Sequence, residues 1–213
     1  MTKSARQEVT IFDYGVGNLH SISKALEISG AKVSVKTTLE EVLEAKALVL
    51  PGVGEFGAVM KAMGPKIQLL TKKLKEGIPT LGICIGFQVM FETSEESKGR
   101  GLELIEGRVL KFKDVRMPHM GWNTVTMTEA GAKDPLMKGI PKTTYYYFAN
   151  SYAPAAKGKD GLVLAESDYG RNFPSVMRIG NTYGTQFHPE KSSRYGLRLI
   201  KNFVRFAAKE VLE

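Results

Sequence analysis

The sequence predicts an α/β fold with an open, mostly parallel sheet flanked by helices and an antiparallel extension in the second half. In the first half, short apolar runs alternate with segments whose apolar residues recur at helical spacing, an order typical of parallel strands covered on both faces. In the second half, short strand-like runs follow one another with Gly, Pro or Asn between them. The 213 residues show no linker, repeat or low-complexity segment, so we expect one domain over residues 1–213.

The first elements are predicted as strand, turn and helix. Val9 to Tyr14 is a compact apolar run followed by a glycine turn, and Asn18 to Ser29 has a helical periodicity that Gly30 ends. Val33 to Val35 predicts a second short strand. The stretch "TLEEVLEA" after it predicts a helix with Thr38 as its cap.

The following elements lead towards the single cysteine. "ALVLPG" predicts a buried strand that ends in a loop, and the spacing of Ile67, Leu70 and Leu74 marks a helix that Gly77 closes. "IPTLGI", from Ile78 to Ile83, predicts the next buried strand. Chemistry in such sheets gathers at the carboxyl ends of the strands, and the cysteine lies at that position.

The second half predicts six short strands and a final helix. The helix begins near Ser193 and places Leu197, Ile200, Val204 and Ala208 on one face. The predicted strands are Leu104 to Phe112, Thr124 to Met127, Tyr145 to Phe148, Leu162 to Ala165, Val176 to Ile179 and Thr182 to Phe187.

The charge balance is basic, with a formal net charge of +8 and a pI near 9.4. A basic surface attracts nucleic acid. The lysines and arginines, however, are spread along helical stretches and are not interleaved with aromatic residues, so we expect no nucleic-acid partner. With one cysteine and three scattered histidines, the chain offers neither an internal disulfide nor a zinc-ligand spacing, and we expect no metal or cofactor.

Membrane and export signals are also missing from the pattern. The first residues, "MTKSARQEV", contain no apolar core of a signal peptide. No apolar run approaches the roughly 20 residues that a spanning helix needs. We therefore expect a cytoplasmic protein with no membrane partner.

The only cysteine lies in "GICIGFQ", between two glycines. We expect a helix to begin at Phe87 and to continue through Phe91 and Glu92, which places Cys84 on a strand-to-helix corner. Glycines on both sides allow a sharp turn and a close backbone approach. The corner resembles the nucleophile elbow of hydrolases, with sulfur in place of the serine oxygen, whereas a lone cysteine among apolar residues is otherwise a small buried hydrophobe.

A thiol nucleophile requires a base and a group that orients it. "YGTQFHPEKS" supplies His188 and Glu190 at positions i and i+2 of an extended segment, where both project to the same side. We predict that His188 is the base and Glu190 its partner. Two other histidines compete: His20 falls early on an amphipathic helix without a useful carboxylate, and His119 lies in an irregular stretch after a proline, where we expect a contact role.

A developing oxyanion needs backbone donors. The N–H of Ile85, directly after the cysteine, is one candidate. The other comes from "PGVG", Pro51 to Gly54, with Gly52 and Val53 as the predicted donors. On its own this glycine-rich loop would equally suit a simple strand-to-helix turn.

"GICIGFQ" followed by "HPE" resembles the class I, triad-type glutamine amidotransferases, in which Cys, His and Glu release ammonia from glutamine. Within that family the chain is similar to the HisH subunits of imidazole glycerol phosphate synthase from about Val9 to the final helix. It departs from the usual pattern at Ile85 and Phe87, where Leu and Met are common, and at Asn150, where His is common. The segments that carry the narrower resemblance are "DYGVGNL" (Asp13 to Leu19), "PGVGEFG" (Pro51 to Gly57), "PHMGWN" (Pro118 to Asn123), "YYFANSY" (Tyr146 to Tyr152) and "QFHPEKS" (Gln186 to Ser192).

The resemblance implies roles for these residues. Cys84 is the nucleophile, His188 the acid and base, and Glu190 its orienting partner. Matching positions that hold the glutamine substrate are Gln88, Glu96, Ser151 and Tyr152.

The resemblance also implies a partner. Glutaminases of this type form a heterodimer with a barrel-shaped cyclase of the HisF type. Ammonia passes to the cyclase, which forms imidazole glycerol phosphate and an aminoimidazole carboxamide ribotide in histidine biosynthesis. We expect the shared interface near His119, Met120, Trp122, Asn123 and Lys191.

Two alternatives remain at this stage. One is a glutaminase that serves a pyridoxal phosphate, anthranilate or guanylate synthase, and "DYGVGNL" with "PHMGWN" speaks against it. The other is a non-catalytic binding protein of the same fold, and the intact Cys84, His188 and Glu190 speak against that. Only an enzyme predicts labelling of Cys84 by a glutamine-mimicking electrophile that glutamine prevents.

Overall fold

A computed structural model describes residues 6–15, 19–155 and 162–211, which form twelve strands and seven α-helices. The strands are β1 (Glu8–Phe12), β2 (Lys32–Lys36), β3 (Leu48–Leu50), β4 (Thr80–Ile83), β5 (Phe91–Ser94), β6 (Ile105–Lys111), β7 (His119–Met127), β8 (Thr143–Asn150), β9 (Tyr152–Ala155), β10 (Leu162–Asp168), β11 (Asn172–Ile179) and β12 (Thr182–Thr185). The helices are α1 (His20–Ile28), α2 (Leu39–Leu43), α3 (Phe56–Met63), α4 (Ile67–Lys75), α5 (Ile85–Gln88), α6 (Glu129–Lys133) and α7 (Ser193–Glu210).

The main sheet has nine strands in the order β2-β1-β3-β4-β12-β11-β10-β7-β8. The four pairs from β2 through β1, β3 and β4 to β12 are parallel, and the four pairs from β12 through β11, β10 and β7 to β8 are antiparallel. A second sheet of three strands, β5-β6-β9, lies beside it. The predicted α/β fold, with a parallel first half and an antiparallel extension, is confirmed.

Apolar side chains cover both faces of the parallel strands. On β1, Val9 and Ile11 belong to one buried cluster together with residues of α1 and α7, and Phe12 belongs to a second cluster with residues of α2, α3 and α4. This two-sided burial is what the continuous apolar runs of the first half predict. Thr38 caps α2 as expected, because its hydroxyl accepts a hydrogen bond from the Glu41 N–H.

The structure corrects the predicted helix after the cysteine. Helix α5 ends at Gln88, and Phe91 already pairs with Ile105 in the second sheet. The carbonyls of Val89 and Met90 accept bonds from Leu102 and Leu104, so strand pairing takes the backbone groups that a longer helix would need. Helical periodicity could not predict this pairing, because the partner strand lies further along the chain.

Other differences concern elements without a clear pattern. The sequence does not predict α3, α6, β5 and β9, and β7 begins at His119, where an irregular stretch is expected. Gly121 has φ 131°, a backbone angle that glycine adopts readily, and β7 pairs with β8 without a register shift on either side of it. Of the predicted first helix, Asn18 lies outside the described residues. Within the described ranges, no helix is long and apolar enough to cross a bilayer.

Candidate active site

Cys84 occupies a strained corner between β4 and α5, with φ 49° and ψ −105°. Packing forces this corner, because a Cβ on Gly86 would lie 2.1 Å from the Leu50 carbonyl oxygen and one on Gly82 would lie 2.5 Å from the Gly86 oxygen. The Cys84 N–H donates to the Thr185 carbonyl at 2.7 Å. The elbow is therefore held by its neighbours, which is the situation in which an unfavourable backbone angle persists.

His188 reaches the cysteine because β12 lies beside β4. The register that pairs Thr185 with Ile83 carries the chain to His188 at the carboxyl edge where Cys84 sits. The His188 ring is buried, and its Nδ1 lies 2.8 Å from Glu190 Oε1. With one ring nitrogen held by the carboxylate, the other is available to the sulfur.

The ring of His188 is electrostatically tuned by this arrangement. Burial alone would lower its pKa, but hydrogen bonds with Cys84 and Glu190 and the charges of both groups outweigh burial and raise the pKa to about 10. The imidazole is therefore protonated at neutral pH. A cationic ring beside a cysteine sulfur stabilises negative charge there, which is the condition for a thiol nucleophile.

Gln186 is a site residue that the sequence patterns did not single out. Its buried side chain donates to Cys84 Sγ at 3.6 Å and accepts a bond from Gln88 Nε2 at 3.0 Å. It precedes His188 by two positions, so the same period-2 spacing that placed Glu190 could have indicated it.

The "PGVG" loop, residues Pro51 to Gly54, lies against the triad. A Cβ built on Gly52 would lie 3.0 Å from His188 Cε1 and 2.8 Å from Ile83 Cγ2. Ile85 is the first residue of α5, and the first N–H groups of a helix have no partner within it. The structure thus brings both candidate sources of oxyanion donors to the cysteine, and their role as donors stays a prediction.

A cavity of about 300 Å³ opens beside Cys84 and is lined by Gln88 and Glu96 among others. Glu96 Oε2 accepts a hydrogen bond from the Phe56 N–H at 2.8 Å. Burial raises the pKa of the Glu96 carboxyl, the Phe56 bond opposes that shift, and the charge of Glu55 adds to it. A larger cavity of about 860 Å³ next to Met137 contains none of the predicted site residues.

Ser151 and Tyr152 also line this cavity, but their carbonyl oxygens are already engaged. The Ser151 carbonyl accepts from Phe112 N–H, and the Tyr152 carbonyl accepts from the side chains of Gln88 and Asn150 at 2.9 Å and 2.8 Å. The backbone of this segment therefore holds the cavity wall together.

The predicted interface residues divide into two groups. Met120 and Trp122 are exposed on the outer face of β7, at 65% and 54%. Lys191 is also exposed, and its Nζ lies 6.0 Å from the ring centre of Tyr147 on the neighbouring strand.

His119 is not at the surface, so its predicted contact role needs correction. Its ring is 4% exposed and stacked between Tyr169 and Phe148, with centroids 3.9 Å and 4.8 Å away. Burial lowers its pKa to about 4, so the ring is neutral at neutral pH. Asn123 is half-buried and donates inward to the Asp168 carbonyl at 2.8 Å. Both residues support β7 from within the protein.

In the described ranges, no group of three or more His, Cys, Asp or Glu side chains could hold a metal ion. The third histidine, His20, is exposed at the start of α1.

Comparison with known proteins gives a consistent relationship. Residues 10–206 match the family described as glutamine amidotransferase class-I. The chain is 45% identical to "Imidazole glycerol phosphate synthase subunit HisH" of Methanocaldococcus jannaschii, covering 92% of this chain and 98% of the relative. It is 44% identical to the protein of the same name from Halobacterium salinarum, covering 94% of each chain.

Solved structures agree on the fold at lower sequence identity. One is a crystal structure from Thermoplasma acidophilum, described as a "putative gmp synthase subunit a protein". It superposes with a TM-score of 0.76 at 19% identity, over 97% of this chain and 96% of the other. A chain of the PurLQS structure from Thermotoga maritima gives 0.75 at 18% identity, over 98% and 100%. The family match over residues 10–206 and the relatives at 44% and 45% identity establish that the chain belongs to the class I glutamine amidotransferase family and, within it, to the HisH subunits of imidazole glycerol phosphate synthase.

Proposed function

We propose that this chain hydrolyses glutamine to glutamate and ammonia and delivers the ammonia to a cyclase subunit of the HisF type. The observation that carries the first half of this proposal is the packing-enforced corner at Cys84, which faces a His188 ring held by Glu190 at 2.8 Å beside an open cavity. A nucleophile, a base and an orienting carboxylate in this order form the general arrangement for acyl transfer.

The reaction follows from these positions. The Cys84 sulfur attacks the side-chain amide carbon of glutamine, and the oxygen takes the negative charge. His188 gives its proton to the amide nitrogen, and the C–N bond breaks. Ammonia departs, and a γ-glutamyl thioester remains on Cys84. Water then loses a proton to His188 and attacks the thioester, which expels the Cys84 thiolate beside the protonated ring. The new carboxyl group gives its proton to solvent, and glutamate leaves. Glu190 keeps the ring oriented and stabilises its charged form in both halves.

The cavity walls provide complementary groups for the amino acid end of glutamine. Glu96 presents a carboxylate with one oxygen already bound to Phe56 N–H, and the remaining acceptor capacity suits an ammonium group. The Gln88 amide nitrogen is committed to Tyr152 and Gln186, so only its oxygen is left for the ligand. These contacts support glutamine as the substrate.

The outer face of β7 and β8 supports a protein partner next to this cavity. Met120 stands opposite Ala149 and Trp122 opposite Tyr147, and Tyr145 on the same face is 60% exposed. Met120 also lines the cavity, so the apolar face and the glutaminase site are continuous. Exposed aromatic and methionine side chains are typical of interface centres. We define Met120, Trp122, Tyr145 and Tyr147 as the β7–β8 face.

The relatives are named as subunits of a synthase, which supports binding of this face to a second subunit. The barrel-shaped cyclase, the heterodimer and the passage of ammonia through the barrel are part of the proposal. So is a cytoplasmic location, which a single unpaired cysteine at a catalytic position favours because such a thiol works in a reducing compartment.

Steady-state glutaminase assays test the proposal on the free chain, on its complex with a HisF-type cyclase, and on that complex with the cyclase's nucleotide ligand bound. We expect glutamine hydrolysis that the liganded complex raises sharply, and Cys84 labelling by a glutamine-mimicking electrophile that glutamine prevents. Failure of the cyclase to co-purify would overturn the partner. Absence of glutamine-protected labelling would overturn the glutaminase.

The β7–β8 face is tested by Trp122→Ala, with Leu69→Ala as the matched control. Leu69 is exposed at 46% on α4, away from this face. We expect Trp122→Ala to weaken cyclase binding by about thirtyfold, as truncation of an aromatic hot spot does, while turnover of the free chain stays within about twofold, since the indole touches no group of the triad. Equal cyclase affinity of the two variants would place the interface elsewhere.

A further inference from the structure

Tyr14 lies beside the "PGVG" loop and contacts it through its hydroxyl group. The side chain is 5% exposed, and its hydroxyl donates to the carbonyl oxygen of Pro51, the first residue of the loop. Burial, followed by the charges of Cys84 and Asp13, raises the pKa of Tyr14 well above its ordinary value. The phenol therefore keeps its proton and remains a donor throughout the working pH range.

This hydrogen bond determines the orientation of one peptide plane. A peptide unit is planar and trans, so its C=O and N–H point to opposite sides. A fixed Pro51 oxygen therefore also fixes the direction of the Gly52 N–H, and Gly52 is the residue that lies against His188 and Ile83. Without this donor, the buried Pro51 carbonyl would lose its partner and the plane its restraint.

The other end of the loop is held separately. Glu96 accepts from the Phe56 N–H at 2.8 Å, where α3 begins. Gly54 has φ 130°, a backbone angle that glycine adopts cheaply. The peptide planes between Gly52 and Glu55 lie between these two anchored planes, and we expect rotation of the loop to take place there.

We propose that Tyr14 is a positioning residue for catalysis, which holds the first peptide plane of the "PGVG" loop so that the loop is ready to stabilise the oxyanion. This inference rests on the proposed glutaminase function. Its mechanism is preorganisation, because donors fixed before the reaction need no rearrangement as charge develops. The hydrogen bond of the Tyr14 hydroxyl goes to the Pro51 carbonyl of the loop, so we expect Tyr14 to act on catalysis through the loop.

Tyr14→Phe removes only the hydroxyl and keeps the ring that packs edge-on against Phe12 at 5.6 Å. We expect kcat for glutamine to fall roughly tenfold, the upper end for one buried hydrogen bond, in the free chain and in the cyclase complex alike. KM should be unchanged. The rate at which iodoacetamide alkylates Cys84 should also be unchanged, because sulfur displaces iodide from a methylene carbon without forming an oxyanion.

Tyr183→Phe is the matched control. Its hydroxyl is also in a buried hydrogen bond, to Asp134 at 3.2 Å, and belongs to the other apolar cluster. Both variants lose one buried phenol hydrogen bond. The Tyr183 bond is to a carboxylate, so Tyr183→Phe should lose at least as much stability, but only Tyr14→Phe should lose kcat.

Three results would overturn the inference while wild type remains active: equal kcat in the two variants, a tenfold loss of alkylation in Tyr14→Phe, or a change confined to KM. The second would show that Tyr14 acts through the triad and not through the loop. A wild-type chain without glutaminase activity, alone or with the cyclase, would instead contradict the proposed function. The two failures are therefore distinguishable.

Discussion

The two sides of the active site are held in different ways. On one side, Cys84 directly follows β4 and His188 comes three residues after the neighbouring strand β12. Both are buried, Cys84 is hydrogen-bonded to Gln186, and His188 is hydrogen-bonded to Glu190. On the other side, the loop from Pro51 to Gly54 is held at its ends by Tyr14 and Glu96, with glycines between them.

This difference indicates where control is possible. The triad has one arrangement enforced by packing, whereas a Gly-Val-Gly segment can rotate a peptide plane at small steric expense. We infer that the cyclase and its ligand act on the loop, and they can do so only by binding one of its states better than the other. A glutaminase controlled in this way would not release ammonia without an acceptor.

The largest effect is expected from Cys84→Ala, which removes the only nucleophile of the triad side. Glutamine hydrolysis should fall below detection, because no thioester can form. The fold and cyclase binding should persist, since the lost side chain is small. As a control, cyclase supplied with ammonium at alkaline pH should still make product in the complex. Residual glutamine turnover near the wild-type rate would contradict the assignment.

His188→Ala should be the next most damaging change and Glu190→Gln a milder one. His188 moves the proton, and loss of a general base costs on the order of a hundredfold or more. Glu190 orients the ring through the 2.8 Å contact, and an amide could retain one hydrogen bond in its place. Single-turnover rates of the two variants measure the difference. A larger loss in Glu190→Gln would mean that the roles are assigned wrongly.

The triad side could be predicted from the sequence, and the reason is local. Cys84 has glycines at both flanks, and His188 and Glu190 are two positions apart, so each half of the site is visible in a short window. The parallel order of strands then places both halves at one edge of the sheet. Gln186 follows the same spacing and was equally predictable.

The loop side could be predicted only as a segment. Its contacts join residues far apart in the chain, Tyr14 to Pro51 and Phe56 to Glu96, and no periodicity reports such pairs. The burial of His119 could not be predicted from the sequence for a related reason. The stacking partners of its ring come from β8 and from the residue after β10, so an apparently irregular stretch is a strand of the main sheet.

Gly52→Ala tests how closely the loop side must approach the triad. The new Cβ would lie 2.8 Å from Ile83 Cγ2 and 3.0 Å from His188 Cε1, so the loop has to move by a few tenths of an ångström. We expect kcat to fall roughly tenfold to a hundredfold, somewhat less than loss of a whole oxyanion donor. The iodoacetamide reaction of Cys84 should change less than kcat.

The control for Gly52→Ala is Gly170→Ala, where a Cβ would lie 2.6 Å from Val115 Cγ1 and the φ of 73° adds backbone strain, so this variant should lose at least as much stability. Thermal unfolding compares the stability that the two variants lose. If Gly170→Ala lowered kcat equally, general destabilisation and not the loop would explain the loss.

The last effect concerns stability, and only the triad side contributes to it through a titratable group. Histidine has an ordinary pKa near 6.5, whereas that of His188 is about 10 in the folded protein, so the fold binds this proton more tightly than the unfolded chain does. The resulting stabilisation is complete below about pH 6.5 and declines as pH rises through about 10. Residues Pro51 to Gly54 carry no titratable group and contribute no such dependence.

Denaturant unfolding of wild type and His188→Ala across this pH window measures the effect. The difference between the two free energies of unfolding should be largest at the acid end and fall to a constant remainder at the alkaline end, because the packing lost in the variant is the same at every pH. A difference that stayed constant across the window would show that the His188 proton is not held by the triad.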